Sequence, residues 1–267
     1  MALTDINGLV QALAQTQQVI PFYKAGVTAF AAGSFHSLWQ TAGEPGAGSL
    51  PSVAGTPTSA DTGAMPLINA SIGALYAGRA SLFATTPGYY LLYDRIAHCN
   101  GLVGNSASSQ AVTLYSSITD RTPSPDYGLG CRMFVEWYTT TGTGTPTLTV
   151  TYTNSSGVGS RTATAVWPAS PVAGQMLRVP LMAGDYGIRS IQSVQLSGAT
   201  SAAGDWGLTV VKPLVDFSIG AANGSIINDA IACGLPPVAN NALLAWLFMA
   251  TNTTHGAISG QITLVDA

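Results

Sequence analysis

The chain has 267 residues, of which nine are Lys or Arg and twelve Asp or Glu, for a net charge of −3. A hydrophobic fraction of 47% excludes a disordered chain, which is apolar-poor and usually highly charged, yet a charged fraction of 8% is far below the ~25% usual in soluble domains. Two lysines, with no basic pair closer than eleven positions, exclude a linear basic patch and predict no nucleic-acid partner.

Charge depletion is uneven. Residues 79–216 hold fifteen of the 21 charges, whereas 25–78 and 217–265 hold only Glu44, Asp61 and Asp229. A free monomer uses surface charge to stay dispersed, and the buried centre of a protein–protein interface is poor in it. The pattern predicts a subunit of a larger assembly.

In chain order, the N-terminal MALTDINGLVQAL has no basic region and contains Asp5, which argues against a secretory leader and for synthesis in a cytoplasm. Thr4 or Asp5 can cap a short helix carrying Ile6, Val10, Leu13 and Ile20 on one stripe, with Pro21 marking its end. That stripe is a candidate assembly arm, although a helix packed on its own domain fits equally. Residues 41–66 carry four prolines, five glycines and almost no large apolar side chain, so they predict a long loop, laid either over a neighbouring subunit or over their own.

From about residue 89 the pattern becomes that of strands. In Arg132–Thr139, Met133, Val135 and Trp137 alternate with Arg132, Phe134, Glu136 and Tyr138; in Thr147–Thr153, Leu148, Val150 and Tyr152 alternate with threonines. This reads as a hairpin with one core face. Further β runs follow at Arg161–Trp167, Gln175–Leu181, Ile188–Leu196 and Trp206–Val211, with no helical pattern between them, which excludes parallel βαβ units. The apolar run Ala242–Ala250 is nine residues, about half the ~20 of a membrane-spanning helix, and predicts a strand covered on both faces or a subunit contact. No membrane partner is expected. Ala257–Val265 alternates as a last strand.

The search for chemistry is short. His36, His98 and His255 are isolated in sequence, and Cys99, Cys131 and Cys233 form no C-x-x-C pair, so neither a metal site nor a disulfide framework is expected. His98 beside Cys99 suggests a dyad, but neighbours on a strand face opposite ways. G-x-S-x-G is absent, and Gly43–Ser49 lacks the lysine of a phosphate loop. Asp94 and Asp120, each followed by Arg, read as local ion pairs. The tyrosines at 89, 90 and 93 and the five tryptophans read as core or interface, with sugar binding as the alternative. No catalytic, cofactor-binding or metal-binding residues are predicted.

Several strand phrases resemble those of structural proteins of tailed bacteriophages: Tyr93–Leu102, Gln110–Leu114, Thr119–Arg121, Gly130–Tyr138, Thr149–Asn154, Gly187–Gln195 and Asn241–Val265. The resemblance implies a virion component without enzymatic activity. The expectation is a mainly β protein, an antiparallel β-sandwich of jelly-roll type with a short N-terminal helix and long uncharged loops. Its divisions would be an arm over 1–88, a sandwich over 89–216 and C-terminal strands over 217–267 that complete the sheet or a subunit contact. The expected role is a capsid decoration or cement protein, with a tail, baseplate or fibre subunit or a carbohydrate-binding attachment module as alternatives. The expected partners are the major capsid protein or other virion proteins and further copies of this chain, for example in a trimer. The candidate contacts are Ile6, Val10, Leu13, Ile20, Leu243, Leu244, Trp246 and Phe248.

Overall fold

The structure is a computed structural model that describes residues 6–28, 32–51, 55–114, 118, 121–122 and 127–267. It is mainly β with antiparallel sheets and one short N-terminal helix, α1 (Ile6–Gln15). The strands build three layers.

The middle layer is a closed barrel of β3 (Phe35–Ser37), β6 (Gly88–His98), β8 (Arg132–Thr139), β11 (Gln175–Val179), β13 (Asp205–Ile219) and β16 (Leu244–Ala250). On one side lies a sheet in the order β14-β5-β18-β1-β4: β14 (Gly224–Asn228), β5 (Leu75–Ala84), β18 (Ile258–Asp266), β1 (Gln17–Lys24) and β4 (Gly43–Glu44). On the other lies a sheet in the order β10-β9-β12-β7: β10 (Arg161–Val166), β9 (Thr147–Asn154), β12 (Ile188–Leu196) and β7 (Gln110–Leu114). These are called the first and second sheets. β15 (Pro237–Val238) pairs with β5, and β17 (Thr254–His255) with β2 (Val27–Thr28).

The apolar alternation of each strand decides its layer. Between barrel and first sheet, Tyr90, Leu92, Phe217, Trp246 and Phe248 meet Phe22, Leu82, Ile258, Ile262 and Leu264. Between barrel and second sheet, Met133, Val135, Trp137, Leu208 and Val210 meet Leu148, Val150, Tyr152, Ile191 and Val194. A third cluster, including Leu91, Tyr93, Phe134, Val211, Leu243 and Leu247, fills the barrel itself. β13 serves both flanking cores. Its register against β6 shifts twice: Ile96 of β6 is the extra residue beside Val210 and Val211, and Leu214 of β13 is the extra residue between Pro213 and Val215, which swaps the faces of every β13 side chain beyond it. Leu208 and Val210 therefore point to the second sheet, and Val215 and Phe217 to the first.

Several expectations are corrected here. Arg132–Thr139 and Thr147–Asn154 do not pair as a hairpin. β8 bonds to β11 and β13, and β9 to β10 and β12. The six residues assigned to one core face are all buried in one cluster, but they face each other across it, because residues 140–146 carry the chain from one layer to the next. The other face of β8 is buried too, inside the barrel. Helix α1 ends at Gln15, so Ile20 belongs to no helical stripe; it and Pro21 lie in β1. Pro21 is tolerated there because β4 pairs only with Tyr23 and Lys24 and leaves the β1 edge open at position 21. The caps Thr4 and Asp5 lie outside the described residues.

The described part of the loop 41–66 packs on its own subunit. Gly48 N–H donates to the Trp39 carbonyl, Trp39 Nε1 donates to the Ser49 carbonyl, Gly55 bridges to His98, and Met65 is buried. Within the apolar run Ala242–Ala250, β16 (Leu244–Ala250) is a strand covered on both faces over Leu244–Phe248. Leu244, Trp246 and Phe248 enter the core beneath the first sheet, while Leu243, Ala245 and Leu247 enter the barrel. Leu243, Leu244, Trp246 and Phe248 are thus core residues, each at most 1% exposed, and cannot serve as assembly contacts in the folded chain.

Candidate assembly surface

The outer face of the first sheet follows from its register. β14 pairs with β5, β5 with β18 and β18 with β1, so outward-pointing residues fall into rows. One row runs Ser225, Phe83, Ser259, Tyr23; the next runs Ile227, Ser81, Gln261, Pro21; a third runs Arg79, Thr263, Val19. Phe83, Tyr23, Val19 and Ile227 are exposed by 38%, 46%, 49% and 59%. Arg79 is the charged member of these rows, and Glu44, paired with Tyr23, sits at the rim.

The helix enlarges this face. α1 buries Gly8 and Ala12, with Ala12 and Leu13 packed at Val265, Ala267 and Tyr76, so its other side, with Ile6 and Val10, is left exposed. A short second helix, α2 (Ala230–Cys233), follows β14; Asp229 caps it by accepting from the N–H groups of Ile231 and Ala232, and Ile231 is exposed by 87%. Leu9 and Leu13 of α1, Ile231 of α2, and Gly78, Arg79 and Thr263 of the sheet line one cavity of about 430 Å³. Of the predicted stripe, Ile6 and Val10 lie on this surface, Leu13 is half-buried beneath it, and Ile20 is in the core. Sequence reading missed Val19, Tyr23, Phe83 and Ile227. The short alternation in β1 and β14 was the signal that could have found them.

Other flanking charges are engaged within the fold. Lys24 is buried and donates from Nζ to the carbonyls of Thr41, Pro45 and Gly46; burial pushes it down to about 8. The Asp266 carboxylate accepts from the N–H groups of Ser71, Ile72 and Gly73, which hold it below the usual carboxylate range. Asp61 accepts from Thr58 N–H.

The outer face of the second sheet is different in kind. Thr162, Thr151 and Ser193 form one cross-strand row, and Thr164, Thr149 and Gln195 the next. Hydroxyl and amide groups there can all be satisfied by water.

The residues with chemical potential lie in the barrel and at its wall. Arg95 donates from Nη2 to Glu136 Oε2 at 2.6 Å and from Nε to His98 Nδ1 at 2.8 Å, and Thr209 Oγ1 donates to the same Glu136 oxygen at 2.5 Å. Arg95 and Glu136 are 0% and 1% exposed, so this is a sealed ion pair. Burial, and then the charges of Arg95 and Arg121, push His98 down to about 2, leaving it a neutral acceptor. His98 therefore faces Arg95 and makes no dyad with Cys99, whose Sγ accepts from Leu208 N–H. Burial pushes the thiols of Cys99, Cys131 and Cys233 up to about 11, 12 and 11, and all three are free. Asp94 pairs with Arg121, 27 positions away, and not with its neighbour. Asp120 lies outside the described residues. No group of three or more potential metal ligands occurs among the described residues, and no helix there is long and apolar enough to cross a membrane.

No family model matches the chain, and no curated protein matches it. Among solved structures, the infectious bursal disease virus VP2 subviral particle aligns over 94% of this chain and 81% of that chain at 8% identity, with a TM-score of 0.20. T=1 particles derived from infectious bursal virus align over 94% and 77% at 9% identity, with a TM-score of 0.21. At TM-scores this low the alignments establish no shared fold and carry no argument about this chain.

Proposed function

We propose that this chain is a structural, non-enzymatic subunit of a virion, and that it docks through the outer face of its first sheet together with α1. The observation that carries the reading is the pairing of exposed Val19, Tyr23, Phe83, Ile227, Ile6 and Val10 with the near absence of charge among them. Exposed apolar residues scattered singly need no explanation, but rows of them on one sheet joined to a helix face are the pattern of an interaction site. The hydroxyl-rich second sheet, on the far side of the barrel, would then face solvent.

The finer reading, a decoration or cement protein of a tailed bacteriophage head, is supported by the resemblance of the strand phrases. Its mechanism would be mechanical. A subunit bridging neighbours adds buried area at about 25 cal/mol per Å² of apolar surface, a gross gain reduced by the cost of ordering. The carbohydrate-binding alternative loses its tryptophans, since all five are at most 1% exposed.

Immunogold labelling of purified particles tests location, and the face is tested by Phe83→Asp combined with Ile227→Asp. Both side chains point outward, so the variant should fold and melt as the parent does while no longer joining particles. Normal incorporation of the double variant would refute this surface. Because the contact rests on apolar area, raising salt from about 0.1 to 1 M, which shortens the Debye length from roughly 10 to 3 Å, should leave the subunit in place; release over that range would mean that charged segments make the contact.

A further inference from the structure

A second feature lies away from the assembly face. A cavity of about 370 Å³ opens beside the register shifts in the middle of β6 and β13, between β15 and the residues leading into β5. Most of its wall is apolar, from Leu75, Leu214, Pro237 and Val238. Three charged side chains also line it: Asp94 of β6, Lys212 of β13, directly opposite in the register, and Arg121.

The charges do not balance. Asp94 Oδ1 accepts from Arg121 Nη1 at 2.6 Å and from Leu243 N–H at 3.0 Å, and Arg121 Nη1 also donates to the Arg95 carbonyl. Arg121 Nη2 is buried with no acceptor among the described residues, and only 6% of that side chain is exposed. Lys212 is close enough for its charge to act on Asp94 but makes no ion pair among the described residues. The Asp266 carboxylate is turned away, engaged by the N–H groups of residues 71–73. Among the described residues two cations therefore share one carboxylate at the wall of a mostly apolar cavity, and a buried guanidinium donor without an acceptor is costly to maintain.

We propose that this cavity binds a carboxylate carried on a short apolar stem, with Arg121 Nη2 and the Lys212 ammonium receiving the charge and Leu75, Leu214 and Val238 the stem. A guanidinium matches the planar, two-oxygen geometry of a carboxylate, and an adjacent ammonium adds charge without demanding direction. The apolar wall disfavours a fully hydrated polyanion. Such a group can belong to a free organic acid or to a Glu or Asp side chain of a neighbouring subunit.

Butyrate is the probe, titrated into the full chain and followed by the NMR shifts of Leu214 and Val238. Saturable binding is expected, with butyramide and inorganic phosphate binding at least tenfold more weakly. Lys212→Met leaves the Asp94–Arg121 pair intact and should weaken butyrate about tenfold with the thermal midpoint unchanged. Arg121→Gln should abolish binding, and circular dichroism shows whether that variant is folded. Absence of saturable binding to the parent, equal binding of butyramide, preference for phosphate, or an unchanged affinity in Lys212→Met would each overturn the proposal. Release of the subunit from particles by saturating butyrate assigns the carboxylate to a neighbour's side chain; retention assigns it to a free acid.

Discussion

Replacing Trp167 with Ala tests whether the second sheet is held by one aromatic keystone. Trp167 follows β10 and is completely buried between Trp137 of β8 and Trp206 of β13, with ring centroids 4.7 Å from each and interplanar angles of 79° and 76°. Its Nε1 donates to the buried Thr141 Oγ1 at 2.9 Å. Truncating a buried Trp costs about 3–5 kcal/mol, and each edge-to-face contact is worth roughly 0.5–1.5 kcal/mol beyond its area. Leaving the Thr141 hydroxyl without its partner adds about 1 kcal/mol where water cannot replace it. The truncation cost already contains the lost ring contacts and places this site toward its upper end, so with the hydroxyl added the expected loss is about 4–6 kcal/mol, a large part of the roughly 5–15 kcal/mol that holds a typical domain together. Trp167→Phe keeps a ring in place and loses the N–H donor, so its cost should be about 1–2 kcal/mol. Guanidinium titration followed by far-UV circular dichroism gives both values. Hydrogen exchange adds the location: protection in β9, β10 and β12 should fall first, while β1, β5 and β18, whose core lies on the other side of the barrel, keep theirs. A loss below about 1.5 kcal/mol for the Ala variant, or equal loss of protection in both sheets, would refute the keystone argument.

Three further predictions follow from the same packing. Gly207→Ala should fail to yield folded protein, because a Cβ there would lie 1.8 Å from the Cys99 carbonyl oxygen, a backbone atom that cannot move without parting β13 from β6; a soluble variant with parental melting would contradict this. Between about pH 6 and 4 stability should fall as acid is added. His98, held down to about 2, and His255, held down to about 4, bind protons only after unfolding, starting at 6.5, whereas Asp94, pushed up to about 6 from 3.8, binds its proton first in the folded chain and opposes them, two against one. His98→Asn, which keeps an acceptor for Arg95 Nε, should flatten that slope in urea titrations, and an unchanged slope would show that His98 does not carry it. Deleting residues 1–15 should preserve the fold and weaken attachment to particles, since α1 packs at one end of the first sheet in a small cluster with Val265, Ala267 and Tyr76; extending the deletion to residue 20 should destabilise the subunit itself, because Ile20 is in the core and β1 pairs with β18 along its whole length.

The sequence by itself determined what local chemistry can determine. Alternation located β8, β9 and β12, and the continuous apolar run at 242–250 indicated a strand needing cover on both faces, in a sheet's centre or at a subunit contact, because side-chain period and hydrophobicity act within a few residues. Charge depletion in the flanks likewise pointed to an uncharged surface, and scattered His and Cys to an absence of local chemical motifs. Partners across space were decided only by the tertiary structure. β8 and β9 carry the pattern of a hairpin, but each satisfies its backbone with other strands, and their matching apolar faces meet across a core instead of side by side. The sequence could not show β5 as a strand, since LYAGRASLFA is built largely of small residues whose alternation becomes legible only when β18 and β14 cover its edges. Nor could it separate the core strand β16 from the exposed rows of Val19, Tyr23, Phe83 and Ile227. Hydrophobicity states that a side chain gains by leaving water, but whether its own subunit or another provides the cover depends on which sheet lies in the middle and which has an open face.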